Sequence, residues 1–243
     1  MKILAVETAT SCQSVAVLDG ARVLARSDEE AAGSQARLLI PTIDRLLKAS
    51  GLTLSSLEGL AVSIGPGSFT GLRVGLATMM GLRATTGLPL AAVPTLEAMA
   101  WNVPRADVPL CAVLKARTGE VYWGLYRWTG AGTLQRLADE RVGPLESVVR
   151  SFVGPAVVLG EGWIAYHNEL RRLLGAREGE VREAPAAAMA ASAVSVGLAG
   201  LERLARGDIA GQGLSPRYVQ RAEAELKAVQ NRLAFARRLE SSN

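Results

Sequence analysis

Two rhythms of apolar positions alternate along the first hundred residues. Ile3–Thr8, Ser14–Leu18 and Arg22–Ser27 are short β-prone runs, and the Asp19-Gly20 pair between the second and third is a hairpin signal, so three antiparallel strands should open the chain. The period then changes. Ala36, Leu39, Ile43, Leu46 and Leu47 recur at helical spacing, with Ser34 placed to cap the start, Gly51 just past an end near Ser50, and Pro41 inside, where the missing N–H predicts a kink. Leu57–Ile64 reads as a buried parallel strand, Thr70–Thr86 as a second helix stopped by Gly87, and Leu90–Val93 as a short closing strand. The predicted order is β-β-β-α-β-α-β.

Hairpins first and crossovers later is also the order in each lobe of the actin-like, ribonuclease-H-like ATPase folds, a likeness of topology that periodicity alone does not single out. The second half offers a smaller, partial repeat. Residues 94–108 form a helix and linker bounded by Pro94, Pro104 and Pro109. Leu110–Lys115 and Glu120–Trp128 form a hairpin around Arg117-Thr118-Gly119, Ala156–Leu159 is a further strand, and Trp163–Leu174 and Ala186–Arg206 are helical. After Gly211-Gln212-Gly213, Leu226, Val229, Leu233 and Ala236 make an apolar stripe that predicts an amphipathic helix over Ala222–Leu239. The expected organisation is an α/β fold of mixed sheets flanked by helices: an N-terminal lobe over 1–103, a smaller lobe over 104–220, and the C-terminal helix over 221–243.

Composition narrows the class. A chain of 243 residues, 49% hydrophobic, with mean hydropathy +0.20, can fill the cores of two lobes and is not of the disordered type. The net charge of +4 is uneven, because residues 1–100 balance and the excess lies beyond them. Such a face either helps a nucleic-acid partner approach or is simply solvated. Cys12 and Cys111 fit no metal spacing and read as free thiols of a reducing compartment. The N-terminal apolar run is interrupted by Glu7, and the most apolar later segment, Val74–Leu82, lies between Arg73 and Arg83, so neither a signal peptide nor a membrane span is expected. The expectation is a soluble cytoplasmic protein.

Candidate chemistry concentrates at three places. Ser63-Ile64-Gly65-Pro66-Gly67-Ser68-Phe69-Thr70-Gly71 is a strand end, a Gly/Pro turn and a helix start, with Ser68 or Thr70 available as the cap; its exposed amides suit an anion or a close backbone neighbour. It is neither a Walker A loop nor the dinucleotide fingerprint. The following helix carries only Arg73 and Arg83 as charges, and Leu72, Val74, Leu76, Met79, Met80 and Leu82 point in nearly every direction. Such a helix must be buried on more than one side, either by its own chain or by another. Third, Glu7-Thr8-Ala9-Thr10 stands where actin-like kinases place an Asp and a glycine-containing phosphate turn; Thr8 and Thr10 here either serve a damaged phosphate loop or satisfy a tight turn. The lone His167 rules out a histidine metal cluster, and no nucleophile elbow stands out.

Four stretches resemble the bacterial TsaB (YeaZ) family, non-catalytic relatives of the TsaD enzyme that attaches threonylcarbamoyl to a tRNA adenosine beside the anticodon: Ile3–Thr10, Gly65–Gly75, Val93-Pro94-Thr95-Leu96-Glu97 and Lys115–Trp123. Ser215-Pro216-Arg217-Tyr218 is a weaker match near the C-terminus. The resemblance implies a two-lobed actin-like fold, and a subunit that binds TsaD, homodimerises when alone, and supports a complex with the ATPase TsaE and tRNA. Its partner-facing residues would be Leu39 and Ile43 on the first helix and Leu72, Arg73, Leu76, Met79, Met80 and Arg83 on the second. Glu7, Thr8, Thr10, Gly65, Gly67 and Ser68 would be a degraded phosphate loop. The TsaD metal is held by an H-x-x-x-H pair; aligning Val93 and Glu97 with that segment puts Thr95 and Met99 at the two ligand positions, and neither can replace an imidazole. The resemblance therefore implies no cofactor on this chain alone, with ATP and a divalent metal used by the partner subunits. A small-molecule kinase would need intact phosphate loops and a carboxylate-held Mg²⁺, and a metallopeptidase would need the missing histidines.

Overall fold

The computed structural model describes residues 1–219, so the expected helix over 222–239 lies outside the described residues. Strands β1 (Lys2–Glu7), β2 (Cys12–Asp19) and β3 (Arg22–Glu30) form the opening meander. Helix α1 (Gln35–Ala49), β4 (Gly59–Ser63), α2 (Phe69–Thr86) and β5 (Leu90–Val93) then add two parallel strands, giving the sheet order β3-β2-β1-β4-β5. The strand-and-helix order read from periodicity holds throughout this half. Ser34 does stand at the start of α1, but its hydroxyl donates to the Ala31 carbonyl rather than capping the helix. Ser68, not Thr70, caps α2, accepting from the Gly71 amide at 3.2 Å.

Helix α3 (Thr95–Ala100) leads into a second sheet built from β6 (Leu110–Lys115), β7 (Glu120–Trp128), β8 (Leu134–Arg136), β9 (Arg141–Pro144), β10 (Ala156–Leu159) and β11 (Val181–Glu183). Its order is β11-β10-β6-β7-β8, and β9 takes over from β8 along the same edge of β7. Helix α4 (Leu145–Ser151) covers part of this sheet. The expected helix over 163–174 is broken into α5 (Glu161–Ala165) and α6 (His167–Leu174) at Tyr166, which leaves helical geometry while its hydroxyl accepts from the Gly119 amide at 3.0 Å. The expected helix over 186–206 is likewise a single 3₁₀ turn followed by α7 (Ala193–Ala205), capped by Ser192.

Placing everything from 104 to 220 in the second lobe needs correction. Helix α7 packs on β1, β2, β4 and β5, the first sheet, opposite the face covered by α1 and α2. Its small residues permit this: Gly197 lies against Leu18 and Ala5, and Gly200 against Ala61 and Ala91, where an added Cβ would come within 2.6 and 2.5 Å of its nearest neighbour. Ser14 Oγ accepts from the Ala193 amide at 2.8 Å, and Arg203 grips Glu97 of α3 at 2.7 and 2.9 Å. The first lobe is thus closed by a helix arriving about a hundred residues after its last strand. Close packing of small residues carries no periodic signal strong enough to assign a helix to one sheet rather than another. Leu96 and Met99 of α3 contribute instead to the second core.

Candidate partner-binding helix and remnant phosphate loop

The Gly/Pro block packs on the chain's own β1–β2 turn. The Ser68 amide donates to the Ala9 carbonyl at 2.7 Å. A Cβ on Gly67 would sit 2.3 Å from Ala9 O, on Gly71 2.0 Å from Thr8 O, and on Gly75 2.3 Å from Thr8 Oγ1. The turn thus has a close backbone neighbour, one of the two occupants that it suited. Gly65 exchanges two hydrogen bonds with Thr95: the Thr95 amide donates to Gly65 O at 2.9 Å, and the Gly65 amide donates to Thr95 Oγ1 at 3.2 Å. Thr95 and Met99 are both fully buried. Among the described residues no group of three His, Cys, Asp or Glu is close enough to hold a metal ion.

Glu7 is fully buried, and its carboxylate accepts from the Ala9 amide. Burial raises its pKa to about 7; the Ala9 amide and the Ser63 hydroxyl act in the opposite direction, and the Glu161 charge adds slightly to the rise. Thr8 is buried behind it, and Thr10 closes its own turn, its Oγ1 donating to Cys12 O at 3.2 Å. Between the lobes a cleft of about 220 Å³ is lined by Thr10, Ser11, Ser68, Lys115, Tyr122 and Glu161. Glu161, at the start of α5, is raised above the ordinary carboxylate range by burial, with Lys115 opposing. The cleft is smaller than usual ligand pockets of about 300–1,000 Å³. The sequence reading named Lys115 and Tyr122 only as family matches and missed Glu161, whose lone acidic position before an apolar segment gave no spacing to notice.

Helix α2 has one buried side. Leu72, Leu76 and Met79 are at most 3% exposed and, with Gly75, follow an i, i+4, i+7 line against β1, β4 and β5. Leu39 and Ile43 of α1 are buried in the same core. The expectation that these five face a partner is therefore corrected: their side chains are already covered by this chain. Of the residues expected there, Arg73 is exposed and Met80 and Arg83 are half-buried. The outward stripe of α2 is Arg73, Ala77, Gly81 and Ala84, beside Ile40 of α1, which is 62% exposed. Among the described residues, nothing lies within 4 Å of the place a Gly81 Cβ would occupy.

Sequence reasoning also gave no role to the segment after α7. The Ala210 amide donates to Leu90 O at 2.8 Å, and Arg83 donates to the Ala210 and Gly211 carbonyls at 2.8 and 3.0 Å. Arg217 pairs with Glu140 at 3.2 Å, and Tyr218 stacks on Phe69. The weak Ser215–Tyr218 family match was the only signal pointing there.

The meander-plus-crossover sheet, helices on both faces and a second mixed sheet across a cleft define a two-lobed actin-like fold. The ethanolamine utilization protein EutJ from Carboxydothermus hydrogenoformans shares that fold, at 15% identity and TM-score 0.52 over 82% of this chain and 89% of that one. Residues 27–158 match the profile of the family described as TsaD, tRNA N6-adenosine threonylcarbamoyltransferase. The tRNA threonylcarbamoyladenosine biosynthesis protein TsaB of Escherichia coli strain K12 is 34% identical over 190 residues, 74% of this chain and 80% of that protein. The TsaB of Bacillus subtilis is 27% identical over 95% of this chain and 99% of its own length. YeaZ from Pseudomonas aeruginosa superposes with TM-score 0.74 at 27% identity, covering 89% of this chain and 99% of that one. Within the wider TsaD-like group, the chain belongs to the TsaB (YeaZ) family.

Proposed function

We propose that this protein acts in the biosynthesis of threonylcarbamoyladenosine in tRNA as a non-catalytic subunit that binds TsaD through the exposed side of α2 and the adjoining part of α1. The observation that carries the reading is the Arg73–Ala77–Gly81–Ala84 stripe: small residues on a rigid helix, open above Gly81, let another helix approach closely. Beside it, Ile40, Leu47, Leu52, Leu54 and Leu82 line an apolar groove of about 500 Å³. Family membership supports the pathway. No helix among the described residues is long and apolar enough to cross a membrane, so a membrane-spanning helix forms no part of the reading.

A catalytic or nucleotide-binding role is the weaker reading. The glycines that would admit phosphates are occupied by Thr8 and Ala9, and the two ligand positions of the relative are filled by a threonine bonded to Gly65 and a methionine in the second core. The subunit would act by binding the active state of its partner better than the inactive one. ATP, a divalent metal, TsaE and tRNA then belong to the assembled complex, and the same stripe drives weak two-fold self-association in the absence of TsaD.

Reconstitution tests this. The chain alone should transfer no threonylcarbamoyl group, and adding it to TsaD, TsaE, ATP, the threonylcarbamoyl-adenylate donor and tRNA should switch transfer on. Gly81→Arg, whose Cβ would meet nothing within 4 Å among the described residues, should fold normally and abolish both TsaD binding and stimulation. Full stimulation by that variant would remove α2 from the interface. Loss of transfer in a Glu7→Ala variant whose complex still assembles would show a chemical contribution from this chain and overturn the scaffold reading.

A further inference from the structure

The docking stripe ends at the start of α2, where a second chain segment joins it. After α7 the backbone returns along the first lobe to the Gly/Pro turn, where the Arg217 amide donates to Ile64 O at 2.6 Å and the Arg217 carbonyl fills the space a Gly65 side chain would take, 2.5 Å from its Cβ position. From there the Arg217 side chain crosses to the second lobe and meets Glu140 at 3.2 Å. The Glu140 side chain is fully buried, and its other oxygen accepts from the Tyr126 hydroxyl at 2.6 Å. A carboxylate taken out of water needs a cation or a proton. Arg217, a third exposed, is the cation in ion-pair contact with it among the described residues.

Glu140 also lies at a break in the edge of the second sheet. It follows β8 and precedes β9, both of which pair with β7, and the intervening residues 137–140 turn its side chain inward. The clasp therefore joins the irregular edge of one sheet to the turn that starts α2 in the other lobe. One residue further on, Tyr218 stacks on Phe69 with ring centroids 5.3 Å apart and planes at 28°, and its hydroxyl accepts from Arg73 Nε at 3.2 Å. The Arg73 guanidinium lies 3.8 Å from the Phe69 centroid. Phe69 and Tyr218 are 37% and 41% exposed, and Arg73 has no ion pair among the described residues. Two aromatic faces and an arginine, drawn from positions about 145 apart, thus form one patch continuous with the α2 stripe.

We propose that Arg217 is a positioning residue for partner docking: clasped to Glu140, it holds residues 209–219 as a strap so that Tyr218 completes a surface with Phe69 and Arg73. That surface fits a partner offering an apolar side chain to the rings and a carboxylate to Arg73. The proposal rests on the α2 docking reading above. A strap acting on both lobes makes the patch sensitive to a contact that the partner never touches.

The test uses the full chain with Arg217→Ala, Arg217→Lys and Tyr218→Ala, reading amide hydrogen exchange across residues 64–76 in the isolated protein and affinity for TsaD by calorimetry. Arg217→Ala should speed exchange across 64–76 about tenfold and weaken TsaD binding about tenfold, and Arg217→Lys should restore part of both. Tyr218→Ala should weaken binding by a similar factor. Unchanged exchange in Arg217→Ala overturns the clasp, and faster exchange with undiminished TsaD affinity overturns its role in docking. If the wild-type chain does not bind TsaD at all, the docking reading falls, and exchange alone then judges the strap. Should Arg217→Ala not fold, Arg217→Lys, which keeps the charge and loses the planar fork, carries both measurements.

Discussion

The two sides of α2 make an instructive pair, because they are similar in apolar character and opposite in fate. One side, Leu72, Gly75, Leu76 and Met79, is pressed on the first sheet and the β1–β2 turn; the other, Arg73, Ala77, Gly81 and Ala84, faces outward. Glycine occurs on both. Gly71 and Gly75 are small because Thr8 leaves no room, whereas Gly81 is small with no described residue within 4 Å of its Cβ position. Smallness inside serves packing of this chain; smallness outside leaves a surface on which another helix can lie.

Substitutions along the helix can break that contrast. Leu76→Glu should have the largest effect: a charge at a 3% exposed position in an apolar core cluster costs several kcal/mol, and circular dichroism should find little folded protein. A folded Leu76→Glu variant deficient only in partner binding would mean that this side is not the inner one.

The turn beneath the helix gives the next effect. Because the Glu7 pKa is raised by burial from 4.5 to about 7, the folded state holds a proton that the unfolded state has released. The stability associated with that proton is full below about pH 4.5 and is lost as the pH rises through 7. Glu7→Gln should therefore be more stable than the wild type by about 3 kcal/mol at pH 8, with the difference shrinking toward pH 4. Chemical denaturation at the two pH values measures it, and a pH-independent difference would contradict the burial argument.

Smaller effects separate the two kinds of glycine. Gly71→Ala places a methyl group 2.0 Å from the Thr8 carbonyl, which cannot move without disturbing β1, and should destabilise by about 1–3 kcal/mol. Gly81→Ala meets nothing within 4 Å among the described residues and removes a flexible residue from a helix interior, so it should stabilise by about 0.5–1 kcal/mol. Thermal melts of the two variants should move in opposite directions. A shared direction would dissolve the distinction between inner and outer faces.

The site was partly legible beforehand for a definite reason. Thr95 and Met99 could be picked out only through the family resemblance, which sets them at the relative's two histidine positions, and side-chain chemistry then says that neither is an imidazole. The Gly65–Gly75 block declared a need for close approach, although not what approached. The side of α2 that faces out was not legible, because its outer stripe is made of alanine and glycine, which blur the apolar contrast that normally gives a helix direction. Leu72, Leu76 and Met79 were accordingly assigned to the surface. Arg217 and Glu140 were invisible as a pair, because 77 positions separate them.

By itself the sequence determined the alternation of strands and helices in the first half, the turn that starts α2 and the lack of histidine ligands, all of which follow from local periodicity, backbone sterics and side-chain chemistry. Only the tertiary structure decided which sheet α7 covers, which face of α2 the described residues leave exposed, and that residues 209–219 cross between the lobes. Those outcomes depend on contacts between distant segments. Local propensity sets the shape of an element, but its neighbours are settled by which complementary surfaces can close together with their buried polar groups paired.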